Sequence, residues 1–196
     1  MVFGIILLLF NSCGNKANQP PALQGETDPD KQKQYFPVLD FLKSEIRYVD
    51  SLPIGIMKYS IYNGLADSGY IKHDEFHRLA ESFTPKDLSP DSMEKAFEES
   101  SFFDNTTNSA TFFYSARDKN QEVQRIHVLA KPDAAYDRVT HIYIEKIIQE
   151  ADSMVIQKMT WKPRKQFQIN TEVKRPGKES STTQVKVIWD NREEDQ

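Results

Sequence analysis

Apolar residues in the first half of the chain recur at helical spacing. Between residues 35 and 50 they lie three or four positions apart, which predicts a helix with one buried stripe: Phe36, Leu39, Leu42, Ile46 and Val49. Apolar spacing and capping residues predict a second helix over 67–83 and a third from Ser89-Pro90 to about Ser100. A strand is predicted over 54–62, because this stretch is rich in β-branched and aromatic residues.

Polar and apolar residues alternate along the second half of the chain. In the stretch QFQINTEV, every second side chain is suited to burial, which is typical of an antiparallel sheet with one wet face. Six strands are predicted, joined by short turns that favour a meander, over 111–116, 124–131, 139–150, 155–161, 165–173 and 182–189. The predicted fold class is therefore α+β, with N-terminal helices packed on an antiparallel meander sheet of about six strands.

Composition narrows the class of protein. The chain has 196 residues, of which 38% are hydrophobic, and this is enough for one domain with a real core. A net charge of -4 argues against nucleic acid as a partner, since nucleic-acid-binding domains are usually strongly basic. The one cysteine excludes an intramolecular disulfide and any zinc site built from several cysteines.

The N-terminal residues differ in character from the rest of the chain. Residues 2–10 form an apolar run that is too short to cross a bilayer but has the length of a signal-peptide core. Residues 14–34 contain Gly, Pro, Gln, Asn and charged residues with almost nothing to bury. The alternative is a buried first strand in which Cys13 packs as a small apolar residue. The organisation we predict is a signal peptide, a flexible tether and a single α+β globular domain, over 1–12, 13–34 and 35–196.

The stretch LLLFNSCGN resembles the lipobox of bacterial lipoprotein precursors, in particular those of Bacteroidota. The resemblance implies that signal peptidase II cuts between Ser12 and Cys13 and that the Cys13 thiol receives a diacylglyceryl lipid. Gly14 stands where an Asp would favour retention in the inner membrane, and residues 15–18 lack the acidic residues that usually mark export to the cell surface. The resemblance therefore implies a membrane anchor at the periplasmic face of the outer membrane.

Two histidines form a weak candidate for a metal site. His73 and His77 are four residues apart on a predicted helix, the spacing of the zinc ligands in metalloprotease helices. That motif needs Glu directly after the first histidine, where this chain has Asp74, and no third ligand lies nearby in the sequence. The alternative is a solvated polar face, because the apolar stripe of this helix points away from His73.

Other catalytic signals are absent from the sequence. His127 and His141 fall on neighbouring predicted strands and could approach each other across a hairpin, but no nucleophile or carboxylate flanks both. The sequence contains no nucleophile elbow, no P-loop and no glycine-rich dinucleotide turn. No cofactor and no enzymatic activity are therefore predicted.

Charged residues are distributed unevenly. Acidic residues dominate over 67–104 and basic residues over 158–178. A basic sheet edge that faces anionic headgroups or an acidic partner is one interpretation. The other is that lysine and arginine on hairpin turns and edge strands maintain solubility and block edge pairing.

Three Asp-Ser-apolar triplets resemble the O-glycosylation signal of Bacteroidota envelope proteins. They make Ser51, Ser92 and Ser153 candidate glycosylation sites, and all three lie at predicted boundaries or turns. Asp-Ser pairs are also ordinary turn and cap residues.

Three functions follow as hypotheses. The first is a non-enzymatic envelope lipoprotein that binds a partner protein or a glycan near the outer membrane. The second is a carrier whose curved sheet encloses an apolar ligand, in a cavity lined by Phe112, Phe113, Tyr114, Tyr143, Trp161 and Phe167. A metal-dependent hydrolase that uses His73 and His77 ranks last.

Overall fold

The computed structural model describes residues 35–131, 138–190 and 192 of the 196-residue chain. The predicted signal peptide and tether, and with them Cys13, lie outside the described residues. The described part begins at Tyr35, where the first predicted helix also begins.

The described residues form one antiparallel sheet of nine strands in the order β2-β1-β9-β8-β7-β6-β5-β4-β3. The strands are β1 (Ile56–Tyr62), β2 (Leu65–Ile71), β3 (Phe97–Asp104), β4 (Ser109–Ala116), β5 (Val123–Lys131), β6 (Arg138–Gln149), β7 (Met154–Lys162), β8 (Gln166–Lys174) and β9 (Ser181–Ile188). From β3 to β9, each strand pairs with the next strand in the chain, which makes a meander. The hairpin of β1 and β2 extends the sheet because β1 pairs with β9.

Short helices cover one face of this sheet. They are α1 (Val38–Asp50), α2 (His73–Ala80) and α3 (Pro90–Ala96), with two 3-10 turns at Glu81–Phe83 and Lys86–Leu88. Their buried apolar side chains share one core with those of the sheet, and the Phe76 ring of α2 lies 5.8 Å from the Phe167 ring of β8. We call the covered side the helix face and the opposite side the open face.

Aromatic rings form the centre of the core. Trp161 and Phe167 are directly opposite each other on β7 and β8, and their rings stack at 5.2 Å. Phe83 lies 5.2 Å from each of these rings, and all three side chains are fully buried. Burial of a large apolar side chain contributes roughly 1.5–3 kcal/mol relative to exposure, so this core is the main source of stability.

The predicted fold class, N-terminal helices packed on a sheet of about six strands, is wrong. Residues 65–71, most of which fall in the predicted second helix, form β2. Residues 97–104 form β3, where the third helix is predicted to continue to Ser100. The strands predicted in the second half correspond in position to β4–β9, and the strand predicted over 54–62 contains β1, but the sheet also contains β2 and β3. The domain is built mainly of strands.

Turn geometry explains why residues 65–71 are extended. Asn63 and Gly64 both have positive φ angles, 45° and 86°, as in the two-residue turns that suit the twist of a hairpin. Tyr62 is directly opposite Leu65, and the seven pairs of this hairpin run without a bulge. Pairing with β1 therefore holds these residues in a strand, and α2 begins only after Lys72.

Glu45 fixes α1 to the turn between β7 and β8. Its buried Oε2 accepts a hydrogen bond from the backbone N–H of Arg164 at 2.7 Å, and its Oε1 lies 3.1 Å from Arg164 Nε. The Arg164 guanidinium also lies 3.8 Å from the centre of the Tyr48 ring. These contacts give the buried carboxylate the donors that it needs away from water.

Candidate functional site

A row of aromatic side chains lies on the open face. Phe113, His127 and Tyr143 are directly opposite one another on β4, β5 and β6, with successive ring centroids 4.8 and 5.2 Å apart. Burial, assisted by the positive charge of Arg125, lowers the pKa of His127 and favours its neutral form. Burial also raises the pKa of Tyr143 to about 12, and the Tyr143 hydroxyl donates to Glu145 Oε2 at 2.9 Å. The three rings of this row are therefore uncharged at neutral pH, and the charged groups of Arg125 and Glu145 lie beside them.

A groove of about 270 Å³, which we call the open-face groove, crosses β7, β8, β9 and β1 on the same face and is lined by both polar and apolar side chains. Its lining includes Ile61, Ile156, Lys158, Asn170, Glu172 and Gln184. One row of partners across the four strands consists of Lys158, Asn170, Gln184 and Ile61. Because the strands are paired throughout, this row has a rigid backbone beneath it.

Exposed apolar side chains concentrate on the β1–β2 hairpin. Of the eight exposed large apolar side chains in the described part of the chain, five lie here, and we call them the hairpin surface: Tyr59, Ile61, Tyr62, Leu65 and Tyr70. Leu65 and Tyr70 are each 77% exposed, and both belong to β2, which forms one edge of the sheet. Strand alternation places Tyr59, Ile61 and Tyr70 on the open face and Tyr62 and Leu65 on the opposite side, so the hairpin surface spans both sides of this edge. Clusters of exposed apolar residues are typical of interaction sites.

His73 and His77 do meet a third polar group, Asp50 at the end of α1. His77 Nε2 lies 2.8 Å and His73 Nδ1 3.3 Å from the same oxygen, Asp50 Oδ1. All three side chains are partly exposed. No group of three or more His, Cys, Asp or Glu side chains among the described residues is arranged to hold a metal ion. The two histidines therefore connect α2 to α1.

The predicted cavity-lining residues do not share one space. Tyr114, Trp161 and Phe167 are buried on the helix face, and Phe112 packs there against the core. Tyr143 lies on the open face beside His127. The stacked rings of the helix face contact one another, and we interpret them as core filling.

The two strand histidines do not form a direct pair. His127 is opposite Tyr143, and His141 is opposite Leu129, two residue pairs further along the hairpin. The contacts that the structure gives to the His127 ring are with Phe113 and Tyr143.

The three glycosylation candidates differ in accessibility. Ser51 is exposed at the end of α1, where its hydroxyl donates to the Tyr48 carbonyl at 2.7 Å. Ser92 is half-buried in α3 and accepts a hydrogen bond from Ser89 at 2.8 Å. Ser153 is buried, and its hydroxyl donates to Glu150 Oε2 at 2.6 Å. The Ser153 hydroxyl is thus the least accessible of the three.

Sequence reasoning missed the hairpin surface because residues 67–71 were assigned to a helix. The Asn63-Gly64 pair was the available signal, since this dipeptide favours a two-residue hairpin. The alternation of polar and apolar residues did identify Asn170 and Glu172 as positions on the solvent-exposed face of their strand. It could not show that side chains from β7, β9 and β1 converge beside them.

Comparison of the chain with protein-family models, with curated proteins and with solved structures gives no match. Among the helices that the structure describes, none is long and apolar enough to cross a membrane. The hairpin surface and the open-face groove are therefore the features from which a function can be argued.

Proposed function

We propose that this chain is a lipid-anchored protein of the bacterial envelope, held through Cys13 at the periplasmic face of the outer membrane. In this proposal the globular part is a non-enzymatic binding module. The apolar run over 2–10, the cysteine behind it and the polar stretch over 14–34 support the anchor. As a flexible coil the tether reaches about 25 Å, so the module acts close to its membrane.

The hairpin surface is the observation that carries the binding role. Its side chains come from two paired strands, and water contacts apolar groups that a partner would cover. The turn beneath it is fixed, because Asn63 Oδ1 accepts from the Thr182 N–H and the Asn63 N–H donates to the Thr182 carbonyl, each at 3.0 Å. A surface that is already ordered loses little conformational entropy on binding.

The partner we propose is an extended segment of another protein that pairs with the outer edge of β2. This edge has no strand beside it among the described residues. Edge strands are commonly protected by charged side chains, proline or a bulge. β2, with the sequence LADSGYI, has no lysine, proline or bulge, and its one charged side chain is Asp67. An added strand would form backbone hydrogen bonds along this edge and contact Leu65 and Tyr70.

The anchor is tested by mass spectrometry of the N-terminal peptide from the membrane fraction of a Bacteroidota host. The expected peptide begins at Cys13 and carries the mass of a diacylglyceryl lipid. Cys13→Ser should abolish both the processing and the membrane association, whereas Ser12→Ala retains a small residue and should be processed normally. An N-terminus that retains Met1, with no lipid on Cys13, would contradict the proposal.

The partner surface is tested by placing a photoreactive residue at Leu65 or, as a matched control, at Phe102. Phe102 is also exposed, but it lies on β3 at the opposite edge of the sheet. Irradiation of cells should give a discrete protein adduct from position 65 and little from position 102. Tyr70→Asp should reduce the adduct from position 65.

Hydrogen exchange then tests the mode of binding. With the cross-linked protein purified and added back, the amides of β2 should exchange more slowly, because an added strand protects the edge. Equal adduct yields from the two edges, or an adduct unaffected by Tyr70→Asp, would show that the hairpin surface is not the docking site.

A further inference from the structure

We infer that the strand added to the edge of β2 carries a cationic side chain facing Asp67 and apolar side chains on its other side. The inference rests on the proposed function, because it specifies the chemistry of the segment that pairs with this edge. It is tested at Asp67, whereas the proposed function is tested at Leu65 and Tyr70, so the two can fail separately.

The turn before β2 shows which backbone groups of this strand point outward. The Asn63 N–H donates to the Thr182 carbonyl, so every second residue of β1, counted back from Asn63, bonds to β9. The β1 residues between them bond to the odd-numbered residues of β2. The even-numbered residues Ala66, Ser68 and Tyr70 therefore direct their N–H and C=O groups away from β1. An added strand finds three donors and three acceptors along this edge.

The open-face side of the edge is apolar. Ala66 and Ser68 are small, and their β1 partners Ile61 and Tyr59 remain 41% and 45% exposed. Tyr70 continues this surface toward the end of the strand. Residues on this side of an added strand lie beside these groups, so apolar side chains there remove the most apolar surface from water.

The opposite side of the edge carries one uncompensated negative charge. Asp67 is the only charged residue of β2, and it stands between Leu65 and Gly69 on the side that carries the helices. Among the residues that the structure describes, no hydrogen bond or ion pair engages the Asp67 carboxylate.

The cations of this region do not compensate Asp67. Lys58 is its diagonal neighbour on β1, but its ammonium is ion-paired with Glu75 of α2. Lys72 follows the end of β2, roughly 16 Å from Asp67 along an extended chain, which exceeds the screening length of about 8 Å at physiological salt. A lysine or arginine on the added strand supplies the missing charge, and its aliphatic stem covers the exposed Leu65.

A second copy of this chain fits the edge less well than a basic segment does. β2 contains no lysine or arginine. Antiparallel pairing of β2 with its own copy about Ser68 places Asp67 opposite Gly69 and leaves the two Asp67 carboxylates as diagonal neighbours. Like charges at neighbouring positions destabilise strand pairing.

Two capped seven-residue peptides provide the test. In both, valine alternates with threonine, and the central position on the threonine side carries lysine in one peptide and glutamate in the other. NMR titration of the purified chain measures the Kd of each peptide and locates binding through the amide shifts of Ala66, Ser68 and Tyr70. The lysine peptide should bind about fivefold more tightly, because its charge is opposite to that of Asp67.

Substitution of Asp67 decides whether this residue is the cause. Asp67→Asn should bring the ratio of the two Kd values to about one, and Asp67→Lys should make the glutamate peptide the tighter ligand. Asp40→Asn and Asp40→Lys are the matched controls, since Asp40 is exposed on α1 and the changes in net charge are the same. They should leave the ratio at about fivefold.

Ser68→Pro tests the backbone pairing. It removes an N–H that points outward and no bond to β1, so the hairpin is retained while the lysine peptide should bind at least about tenfold more weakly. Circular dichroism and thermal unfolding of each variant verify that the fold is retained.

The inference is overturned if neither peptide binds at millimolar concentration or if the glutamate peptide binds the parent chain as tightly as the lysine peptide. It is also overturned if Asp40→Asn changes the ratio as much as Asp67→Asn does. A dimer of the parent chain in sedimentation, abolished by Ser68→Pro, would assign the edge to a second copy and overturn it as well. An adduct from position 65 in cells without any charge preference refutes this inference alone, whereas a charge preference without that adduct refutes the proposed function alone.

Discussion

Removal of Glu45 should destabilise the domain more than removal of the side chain with which it pairs. The Glu45 side chain is 4% exposed, whereas the side chain of Arg164 is 60% exposed. Glu45→Ala leaves the backbone N–H of Arg164 without its charged acceptor, a bond worth about 1.5–3 kcal/mol. It also removes an ion pair that is worth at most about 1 kcal/mol at this exposure. We therefore expect a loss of about 2–4 kcal/mol in the free energy of unfolding.

The Arg164 variants separate the backbone contact from the side-chain contact. Arg164→Ala keeps the N–H that donates to Glu45 and loses an exposed ion pair and the contact with Tyr48, together about 1 kcal/mol. Arg164→Gly loses the same contacts, but φ is 64° here, where glycine avoids a strain of about 1–2 kcal/mol. Its stability should therefore lie within about 1 kcal/mol of the parent chain.

These differences are measured by equilibrium unfolding in urea. The midpoint and the m-value are compared between the parent chain and the three variants. The expected order of destabilisation is Glu45→Ala, then Arg164→Ala, then Arg164→Gly. If Arg164→Ala costs as much as Glu45→Ala, the guanidinium rather than the backbone N–H fixes α1, and the reasoning is refuted.

Three further predictions concern single side chains. The pKa of His127 is lowered by folding, so the unfolded chain binds its proton first, and stability should fall as the pH drops below about 6.5. In urea titrations at several pH values, His127→Gln should make the free energy of unfolding less dependent on pH. An unchanged dependence on pH would contradict the prediction. Gly64→Ala, at φ 86°, should cost about 1 kcal/mol, whereas Gly69→Ala, with no atoms near its Cβ, should cost little, as thermal unfolding can show. Trp161→Ala should cost about 3–5 kcal/mol by urea unfolding, and a loss below about 1 kcal/mol would contradict its place in the core.

Local patterns were reliable where one face of an element is buried. The stripe that predicted the first helix supplies the buried side chains of α1, including Leu39, Leu42 and Val49. Alternation along residues 166–173 likewise corresponds to β8, where Phe167 and Ile169 are buried. In both cases the period of the apolar residues follows from contact with a single core.

Predictions from apolar spacing were wrong where an element has no buried face in contact with the core. Residues 65–71 lie at an edge of the sheet, and most of their side chains are exposed, so their polarity carries no clear period. The hairpin pairing of β2 with β1 determines their conformation instead. The same holds in β3, where Phe102 and Phe103 are exposed and apolar spacing does not report burial.

The sequence by itself determined the positions of α1 and of the six strands after residue 108, because each of these depends on neighbours within a few residues. It also supplied the motif around Cys13, on which the proposed anchor rests. Only the tertiary structure decided which distant residues meet. Glu45 and Arg164 are 119 residues apart in the chain, and the groove combines Ile61 with side chains from β7, β8 and β9. Such contacts follow from strand order and register, which are set by pairing across the whole sheet rather than by any local pattern.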